Sequence, residues 1–441
     1  MPVIDEGLLD SLAGSSVELV PLHGGERLMS RNIIVLGAGM VGVSVAWHLV
    51  RRGHSVTLVD RREPGRETSF GNAGIIQREA VRPYAFPRDF STLLRVLPNH
   101  EVDIRYRPFG MLNAAGPLFQ YWINSGGERY ERIINEWASL IMRCQDAHEP
   151  MIEAAQAGDL VRKGGWLELY RTRKALDERV EKARMDQLRF GVEFDVLDAA
   201  ALYAMEPHLG EGLVGAIHWT QPWMVSDPGG LVQAYARNFE EQGGRLVQAS
   251  VEEIRQEGAG WRVVTSEETI DAEQVVIAMG PWSGKVLADI GIHVPLFVKR
   301  GYHMHYSTEQ GARLNHWVMD AEKGFLLEPM RAGIRLTTGA ELADLDSPPQ
   351  YRQLAAAERA ARELFPLGRR RDAEPWKGAR PCMPDMKPVI GPAPEKPGLW
   401  LAFGHGHQGF TLGPATGELL AQMMDGEQTP IDMAPFRADR F

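Results

Sequence analysis

Three glycines near the start of the chain have the spacing of a phosphate-binding turn. Residues 37–42 read GAGMVG, which places the glycines at the first, third and sixth positions of a G-x-G-x-x-G motif. In such a motif the first glycine permits a tight turn, the second lets the backbone approach a pyrophosphate, and the third lets a helix pack on a strand. Asp60 follows Gly37 by 23 residues (60 − 37), in the range of a carboxylate that accepts hydrogen bonds from ribose hydroxyls. Together these residues predict a dinucleotide-binding site.

Two other glycine-containing segments carry groups suited to a long cofactor. Residues 68–74 (TSFGNAG) offer two hydroxyls, an amide and a flexible backbone, although a solvated surface loop has a similar composition. Residues 404–411 (GHGHQGFT) form a second glycine turn before a helix, where backbone N–H groups can face a developing negative charge. A helix-capping loop is the alternative for this turn. The first motif alone suits NAD or FAD, and the two distant segments favour FAD, the longer cofactor.

Hydrophobic periodicity supplies the elements that must position these residues. A buried strand, a helix and a second strand are predicted at 32–36, 40–52 and 55–60, which is a βαβ unit around the first glycine motif. Asp227 and Pro228 predict a helix start, as an N-cap and a first helical residue. The other predicted elements are a helix at 129–156 interrupted by Pro150, a helix at 231–242, strands at 245–254, 261–265 and 274–279, a helix at 351–364, a strand at 399–403 and a helix at 414–424.

Composition argues against several classes of function. The 441 residues predict two or three domains, and the formal charge of −10 argues against a general nucleic-acid binder because phosphate binding needs basic surface. The two cysteines, Cys144 and Cys382, lie far apart, so neither a disulfide framework nor a metal cluster is indicated. No apolar run of about 18 residues and no signal-peptide pattern is present. We therefore expect a cytoplasmic protein, with at most a peripheral contact to the inner membrane, and an N-terminal appendage at 1–30.

The chain resembles the FAD-dependent amino-acid oxidoreductases that include D-amino-acid oxidase, glycine oxidase and sarcosine oxidase, and is most similar to the bacterial D-amino-acid dehydrogenases. The resemblance is carried by the first glycine motif and by residues 68–74, 277–283 (IAMGPWS), 300–302 (RGY), 378–391 (beginning GARP) and 404–414. It implies an α/β fold in which a Rossmann-like FAD-binding domain is interwoven with an α+β substrate domain that carries a mainly antiparallel sheet. The implied boundaries are 31–112, 222–283 and 376–441 for the FAD-binding domain, and 113–221 and 284–375 for the substrate domain.

The resemblance also implies roles for individual residues. Val251 would present its backbone to the adenine, with ordinary strand packing as the alternative, and Ala278 and Gly280 would lie beside the pyrophosphate. Because Cys382 does not match the cysteine that tethers the flavin in some sarcosine oxidases, noncovalent FAD is expected. The predicted cofactor-binding residues are Gly37, Gly39, Met40, Val41, Gly42, Asp60, Arg61, Thr68, Ser69, Asn72, Ala73, Gly74, Val251, Ala278, Gly280, Trp282, Gly404, Gln408, Gly409, Phe410 and Thr411.

Arg380 is the predicted substrate-binding residue. An amino-acid carboxylate is well bound by a planar, permanently charged, bidentate donor, and Arg380 has the G-x-R-P setting of the family's carboxylate-binding arginine. Tyr302 would add a hydroxyl to that carboxylate or close the site, with core packing as the alternative. His405 and His407 would contact flavin or substrate, or would only orient their loop. We therefore assign Arg380, Tyr302 and His405 to the predicted catalytic site.

These residues predict an enzyme that oxidises the C–N bond of a small amino acid, such as a D-amino acid or a cyclic imino acid like D-proline or hydroxyproline. Arg380 would fix the carboxylate while the Cα hydrogen leaves as a hydride to the flavin, giving an imino acid that hydrolyses to a 2-oxo acid. A dehydrogenase that passes electrons to a quinone or an electron carrier is favoured over an oxidase that uses oxygen. A sarcosine or glycine oxidase that releases hydrogen peroxide, and a noncatalytic flavoprotein subunit, remain alternatives. The sequence does not specify the oligomeric state.

Overall fold

Strands and helices are mixed along the chain in the computed structural model, which describes residues 30–89, 94, 97–99 and 102–441. The predicted appendage at 1–30 lies outside the described residues except for Ser30. The strands are β1 Asn32–Leu36, β2 Ser55–Asp60, β3 Ile75–Ile76, β4 Ile104–Tyr106, β5 Val161–Lys163, β6 Trp166–Tyr170, β7 Phe194–Asp198, β8 Gly215–Trp219, β9 Trp223–Val225, β10 Arg245–Gln248, β11 Val251–Glu257, β12 Gly260–Thr265, β13 Thr269–Ala272, β14 Gln274–Ile277, β15 Phe297–Thr308, β16 Val318–Asp320, β17 Phe325–Met330, β18 Gly333–Thr338, β19 Ala340–Leu342, β20 Leu367–Arg370, β21 Trp376–Cys382, β22 Val389–Pro392 and β23 Leu399–Phe403. The α-helices are α1 Met40–Arg51, α2 Pro108–Asn113, α3 Ala115–Asn124, α4 Gly127–Ile141, α5 Cys144–Ala154, α6 Arg173–Phe190, α7 Ala199–Met205, α8 Pro228–Glu241, α9 Ser283–Asp289, α10 Arg352–Leu364 and α11 Gly409–Met424.

A six-stranded sheet contains the predicted βαβ unit. Its order is β10-β2-β1-β14-β23-β22, and its pairs are parallel except at the β22–β23 edge. Successive side chains of a strand point to opposite faces, so Ile33 and Val35 enter one core with α1, α8 and α11, while Ile34 and Leu36 enter another with the β11–β12–β13 sheet. Both faces are therefore covered, as a parallel sheet requires.

A larger sheet of eleven strands occupies the rest of the fold. Its order is β4-β19-β15-β18-β17-β16-β6-β8-β7, with β20 and β21 also paired to β15, and two of its pairings, β16–β6 and β19–β4, are parallel. The chain passes repeatedly between this sheet and the six-stranded one, so the predicted fold class is confirmed. The domain boundaries remain a prediction, and β4 and β21 pair with the larger sheet although those boundaries assign both to the FAD-binding domain.

Helices α1 and α11 pack closely because α11 carries glycines at the contact. A Cβ on Gly413 would lie 2.5 Å from Met40 Cγ, and one on Gly417 would lie 2.6 Å from the Ser44 carbonyl. The sequence places the start of α11 at residue 414, whereas the helix begins at Gly409. Pro414 lies inside the helix and has no N–H to donate to the carbonyl four residues earlier.

That carbonyl belongs to Phe410, and it has another donor. Nε2 of His148, a buried residue of α5, donates to Phe410 O at 3.1 Å, while Tyr235 supplies a hydroxyl at 3.1 Å from Nδ1. Burial lowers the pKa of His148 to about 4, so the imidazole is neutral. The hydrogen bond that Pro414 cannot make is therefore replaced from a neighbouring helix.

Two local predictions are wrong for identifiable reasons. Pro150 does not interrupt its helix: it lies within α5, whose buried face includes Met151 and Ile152, and the break falls instead at residues 142–143. Tertiary packing of such a face contributes more to helix stability than the single hydrogen bond that proline removes. The predicted strand at 245–254 is two strands. Strand β10 pairs with β2 up to the last residue of β2, and β11 then pairs with β12 in another sheet.

The predicted helix start at Asp227 is confirmed. The Asp227 carboxylate accepts a hydrogen bond from Gly230 N at 2.9 Å, and Pro228 is the first residue of α8. Among the helices of the described ranges, none combines the length and the apolar character needed to span a membrane.

Candidate active site

One large cavity, of about 890 Å³, lies at the carboxyl ends of the strands of the six-stranded sheet. Gly37 follows β1, Asp60 ends β2, Ala278 follows β14 and Gly404 follows β23, and all four residues line the cavity. Strand β1 has β2 on one side and β14 on the other, so the strand order reverses there. Open α/β sheets bind ligands at such a point, and the volume is typical of a small-molecule site.

At each of the three glycines of the first turn, a side chain would clash with the backbone or take up space in the cavity. Gly37 has φ +103°, and a Cβ there would lie 2.5 Å from Ala278 O. A Cβ on Gly42 would lie 1.8 Å from Gly37 O, so this glycine allows α1 to pack on the turn. Gly39 lines the cavity, where the absence of a side chain leaves room for a ligand. No acidic residue stands in the first turn of α1, so its positive dipole end is free to bind an anion.

Asp60 braces this turn and also lines the cavity. Its Oδ2 accepts a hydrogen bond from Ala38 N at 2.7 Å and its Oδ1 accepts one from Arg62 N at 3.0 Å. Burial raises the pKa of Asp60, and the two amide donors oppose that effect. A carboxylate accepts about four hydrogen bonds, so Asp60 keeps capacity for ribose hydroxyls. Nearby, the Arg61 guanidinium lies 4.3 Å from the centroid of the Trp282 ring.

The loop at residues 68–74 is joined to elements on two sides. Ser69 Oγ accepts a hydrogen bond from Met40 N at 3.0 Å, which satisfies one free amide at the start of α1. Thr68 Oγ1 donates to Ala379 O of β21 at 3.0 Å. The loop therefore connects the glycine turn to the strand that carries Arg380.

Arg335 of β18 holds the same loop from the larger sheet. Its Nη1 donates to Phe70 O at 3.2 Å and to Asn72 O at 2.5 Å, and its Nε donates to His305 Nε2 at 3.0 Å. The Asn72 side chain accepts from Gly74 N at 2.8 Å. The backbone of the loop is thereby fixed along the cavity wall.

Helix α11 directs its N-terminus at the cavity. Gly409 and Phe410 of its first turn line the cavity. Behind them, Thr411 Oγ1 lies 2.8 Å from Gln408 Oε1, and Gln408 Nε2 donates to Gln77 Oε1 at 2.7 Å. Amide groups at a helix N-terminus stabilise negative charge, so this end of the cavity suits an anionic group.

Arg380 lies on β21 at the cavity wall. Its Nη1 donates to Gly339 O at 3.1 Å and Arg300 O at 3.4 Å, and no carboxylate within the described part of the chain pairs with it. Burial lowers the pKa of Arg380, although a guanidinium remains charged at neutral pH. A Cβ on Gly301 would lie 2.7 Å from Arg380 Nη2, so Gly301 leaves the space that the guanidinium occupies.

Tyr302 is a correction to the predicted site, because it does not line the cavity. It is 1 % exposed, and its hydroxyl donates to Glu341 Oε2 at 2.5 Å and accepts from Arg300 Nη2 at 3.1 Å. Side chains of β15 alternate between faces. Gly301 therefore faces Arg380 and the cavity, while Tyr302 faces a buried ion pair.

His405 lines the cavity, but its ring is engaged with α11. Its Nε2 lies 2.9 Å from Thr416 Oγ1, and burial lowers its pKa to about 3. His407 lines the cavity two residues later, and burial, reinforced by Arg380, holds its pKa well below the usual value. Both imidazoles are therefore neutral at neutral pH.

Most predicted site residues meet at this one cavity. Those that line it are Gly37, Gly39, Met40, Val41, Asp60, Arg61, Thr68, Ser69, Asn72, Ala73, Val251, Ala278, Gly280, Trp282, Arg380, Gly404, His405, Gly409 and Phe410. Those that do not are Gly42, Gly74, Tyr302, Gln408 and Thr411. The two glycines lie beneath it in tight packing, where a Cβ on Gly74 would be 2.2 Å from Val225 O.

Sequence reasoning missed several lining residues, among them Gln77, Tyr84, Trp166 and Trp376. Trp376 stacks on His303, with ring centroids 4.8 Å apart. None of these residues belongs to a short motif. Only the position of Gln77, three residues after the loop at 68–74, offered a signal.

A glycine turn after β1, a carboxylate at the end of β2 and a second turn before α11, all around one cavity, define a Rossmann-type dinucleotide-binding protein. The cradle fits FAD, because the unfilled space at Gly39, the two helix N-termini and Asp60 meet in one cavity. A family model described as "FAD dependent oxidoreductase" (DAO) matches residues 32–423, so the chain belongs to the DAO family of FAD-dependent oxidoreductases.

Known proteins similar to the chain agree with this assignment. A D-amino-acid oxidase of Bradyrhizobium diazoefficiens is 30% identical over 93% of this chain and 99% of its own length. A D-amino acid dehydrogenase of Chromohalobacter salexigens is 30% identical over the same shares, 93% and 99%. Among solved structures, glycine oxidase from Geobacillus kaustophilus matches with a TM-score of 0.73 at 22% identity, over 93% of this chain and 100% of that one, which shows a shared fold. The predicted resemblance and the predicted cofactor are thereby confirmed.

Proposed function

We propose that this FAD-dependent oxidoreductase oxidises the C–N bond of a small amino acid, and that its substrate is a D-amino acid or a cyclic imino acid such as D-proline or hydroxyproline. The names of similar proteins, D-amino-acid oxidase and D-amino acid dehydrogenase, support an amino-acid substrate. The observation that carries the proposal is Arg380, a buried cation in the cavity without a carboxylate partner among the described residues.

An unpaired buried cation is costly, so its presence favours an anionic ligand. Two backbone carbonyls occupy Arg380 Nη1, while Nε and Nη2 make no hydrogen bond with the described residues. These two nitrogens lie on one edge of the guanidinium, which is the edge that binds a carboxylate in bidentate fashion. The proposed role of Arg380 is to fix the substrate carboxylate in this way.

FAD would be held noncovalently by the first glycine turn, Asp60 and the loop at 68–74, and it supplies the two-electron chemistry by accepting the hydride released from Cα. Cys382 lines a separate, smaller cavity, and burial raises the pKa of its thiol; both observations support noncovalent binding. The first turn of α11 directs N–H groups toward the cavity, where they would stabilise negative charge.

Among the described residues, the hydrogen-bond partners of Arg380 are backbone carbonyls, which are not bases. Neutral His405, with its pKa lowered to about 3, is a weak proton acceptor. The substrate amine would therefore lose its proton to water before hydride release, and we expect kcat/KM to rise with pH until the amine is deprotonated. We propose no general base for this step.

The proposed electron acceptor is a quinone or a carrier protein, and oxygen is the alternative. Several similar proteins are named D-amino acid dehydrogenase, which supports the first choice. A sarcosine or glycine oxidase would instead release hydrogen peroxide with sarcosine or glycine in air. Peroxide assays with these two substrates and with bulkier D-amino acids distinguish the two activities.

Anaerobic mixing of the purified yellow protein with D-, L- and N-methyl amino acids tests the proposal. At least one D-amino or cyclic imino acid should bleach the visible flavin band. Bound FAD that no amino acid bleaches would instead indicate a noncatalytic flavoprotein subunit.

The Arg380→Lys variant tests the carboxylate role. It should raise KM by about 10- to 150-fold, because a bidentate charge-assisted pair is lost, while FAD content stays normal. An unchanged KM would exclude the proposed contact.

A further inference from the structure

A second, smaller cavity of about 40 Å³ adjoins the main one. Both cavities are lined by Tyr84 and by residues 404–407, so these residues form the partition between them. The rings of Tyr84 and His407 lie with centroids 4.7 Å apart, inclined at 48°. Behind this partition lie Tyr121, Phe297 and Met386.

Tyr84 belongs to a segment, residues 80–86, that we call the wall loop. Helix α3, its C-cap residue Ser125 and helix α4 bind the backbone of the wall loop at four points. Trp137 Nε1 donates to Ala80 O at 2.7 Å, and Tyr130 OH donates to Pro83 O at 2.7 Å. Tyr121 OH donates to Tyr84 O, and Ser125 Oγ accepts from Phe86 N at 2.8 Å.

A loop with so many side-chain partners for its backbone has little freedom to open. Lys299 Nζ adds a further support, since it donates to Tyr121 OH at 2.8 Å beneath the wall loop. These hydrogen bonds fix the backbone of the wall loop, while the Tyr84 side chain is 57% exposed and its ring contacts the ring of His407. Such a wall sets the space available to a substrate in advance.

Charge along the cavity is also asymmetric. The carboxylates that line it lie at the end of β2 and in the loop after it, on β11 and at the end of α9, and they are Asp60, Glu67, Glu252, Glu253 and Asp289. Beside Arg380 the lining residues Tyr84 and His407 are uncharged. Among the described lining residues beside Arg380, none is oppositely charged to a charged substrate side chain except Arg380 itself. Arg380 is already occupied by the substrate carboxylate.

We propose that Tyr84, carried on the fixed backbone of the wall loop, and His407 form a specificity wall that limits the substrate to amino acids with small, uncharged side chains. This inference rests on the proposed function, because it assumes that Arg380 fixes the carboxylate. Tyr84 and His407 would contact the substrate side chain. Tyr130 is a positioning residue that acts only through the wall loop.

The ratio of kcat/KM for phenylalanine to that for alanine, with both enantiomers tested, reports on the wall. Tyr84→Ala joins the two cavities and should raise this ratio by at least about tenfold, the effect expected when a pocket gains room for a larger group. Tyr84→Phe keeps the ring and should leave the ratio unchanged. A Tyr84→Ala protein with normal FAD content and the wild-type ratio would overturn the inference. If that variant loses FAD, His407→Ala carries the same expectation.

A binding measurement separates this inference from the proposed function. The Kd values of acetate and benzoate, read from perturbation of the flavin absorbance, should shift in favour of benzoate in Tyr84→Ala. If no amino acid bleaches the flavin of any variant, the proposed function fails. The ratio of the Kd of benzoate to the Kd of acetate, compared between wild type and Tyr84→Ala, still decides whether the wall exists. Tyr130→Phe should shift both ratios in the same direction by a smaller factor, and unchanged ratios would exclude its positioning role.

Discussion

Glu79 makes the stability of this enzyme depend on pH in a way that one substitution should remove. Its side chain is 7% exposed, and Oε1 accepts hydrogen bonds from Trp166 Nε1 at 2.8 Å and Gln77 Nε2 at 3.0 Å. Oε2 is buried without a partner. Burial raises the pKa of Glu79 to about 7, whereas its ordinary value is 4.5. The folded state therefore favours the protonated carboxyl.

The direction of the pH effect on stability follows from the linkage between proton binding and folding. Because the pKa of Glu79 is higher in the folded state, the group favours folding at low pH, and that contribution is lost as the pH rises through 7. At about 1.4 kcal/mol for each pKa unit, the free energy of unfolding should fall by about 2 to 3 kcal/mol between pH 5 and pH 8 from this group alone. Glu79→Gln keeps an acceptor oxygen for Trp166 and carries no proton to lose.

Urea unfolding of the FAD-loaded wild type and of Glu79→Gln at pH 5 and pH 8 checks this expectation. The difference in the free energy of unfolding between the two proteins should move in favour of the variant by about 2 to 3 kcal/mol at the higher pH. Taking the difference removes other groups such as Glu328, whose pKa burial raises to about 8. If the free energy of unfolding changes by the same amount between pH 5 and pH 8 in both proteins, Glu79 is not a buried carboxyl with a raised pKa, and the reasoning is refuted.

Three further substitutions probe other parts of the structure. Gly301→Ala would place a Cβ 2.7 Å from Arg380 Nη2, so it should raise the KM for the amino acid by tenfold or more while FAD content, read from the visible spectrum, stays normal. Gly42→Ala would place a Cβ 1.8 Å from Gly37 O, so the purified protein should lack FAD; a fully loaded, yellow variant would contradict the steric argument. Asp227→Ala removes the cap of α8 and should lower stability by about 1 kcal/mol in urea unfolding, with kcat and KM unchanged.

Local signals explain why parts of this fold are predictable from sequence. The elements β1, α1 and β2 were placed within one residue because their apolar runs and glycine turn reflect neighbours close in the chain. The start of α11 was misplaced because Pro414 reads as a helix start, while the donor that replaces its missing hydrogen bond, His148, is remote in sequence.

The site residues, too, were predictable only where a local sequence pattern identifies them. Arg380 was found through a short motif, and its place on the cavity wall agrees with that prediction. Tyr302 was predicted to bind the carboxylate or close the site, with core packing as the alternative, and the choice depends on the register of β15 with β21 and β19. Tyr84 was missed because its position depends on donors from α3 and α4, which no local pattern encodes.

The distance along the chain between the two glycine turns has a consequence for biosynthesis. Residues 37–42 leave the ribosome early, whereas 404–411, on the other side of the same cavity, follow more than 360 residues later (404 − 42 = 362). Strand β14, which neighbours β1, receives its other partner β23 equally late. A chain interrupted before residue 404 would lack the second glycine turn and the first turn of α11, so its cofactor site would be incomplete. A cofactor that contacts both glycine turns therefore needs a chain that extends through the start of α11.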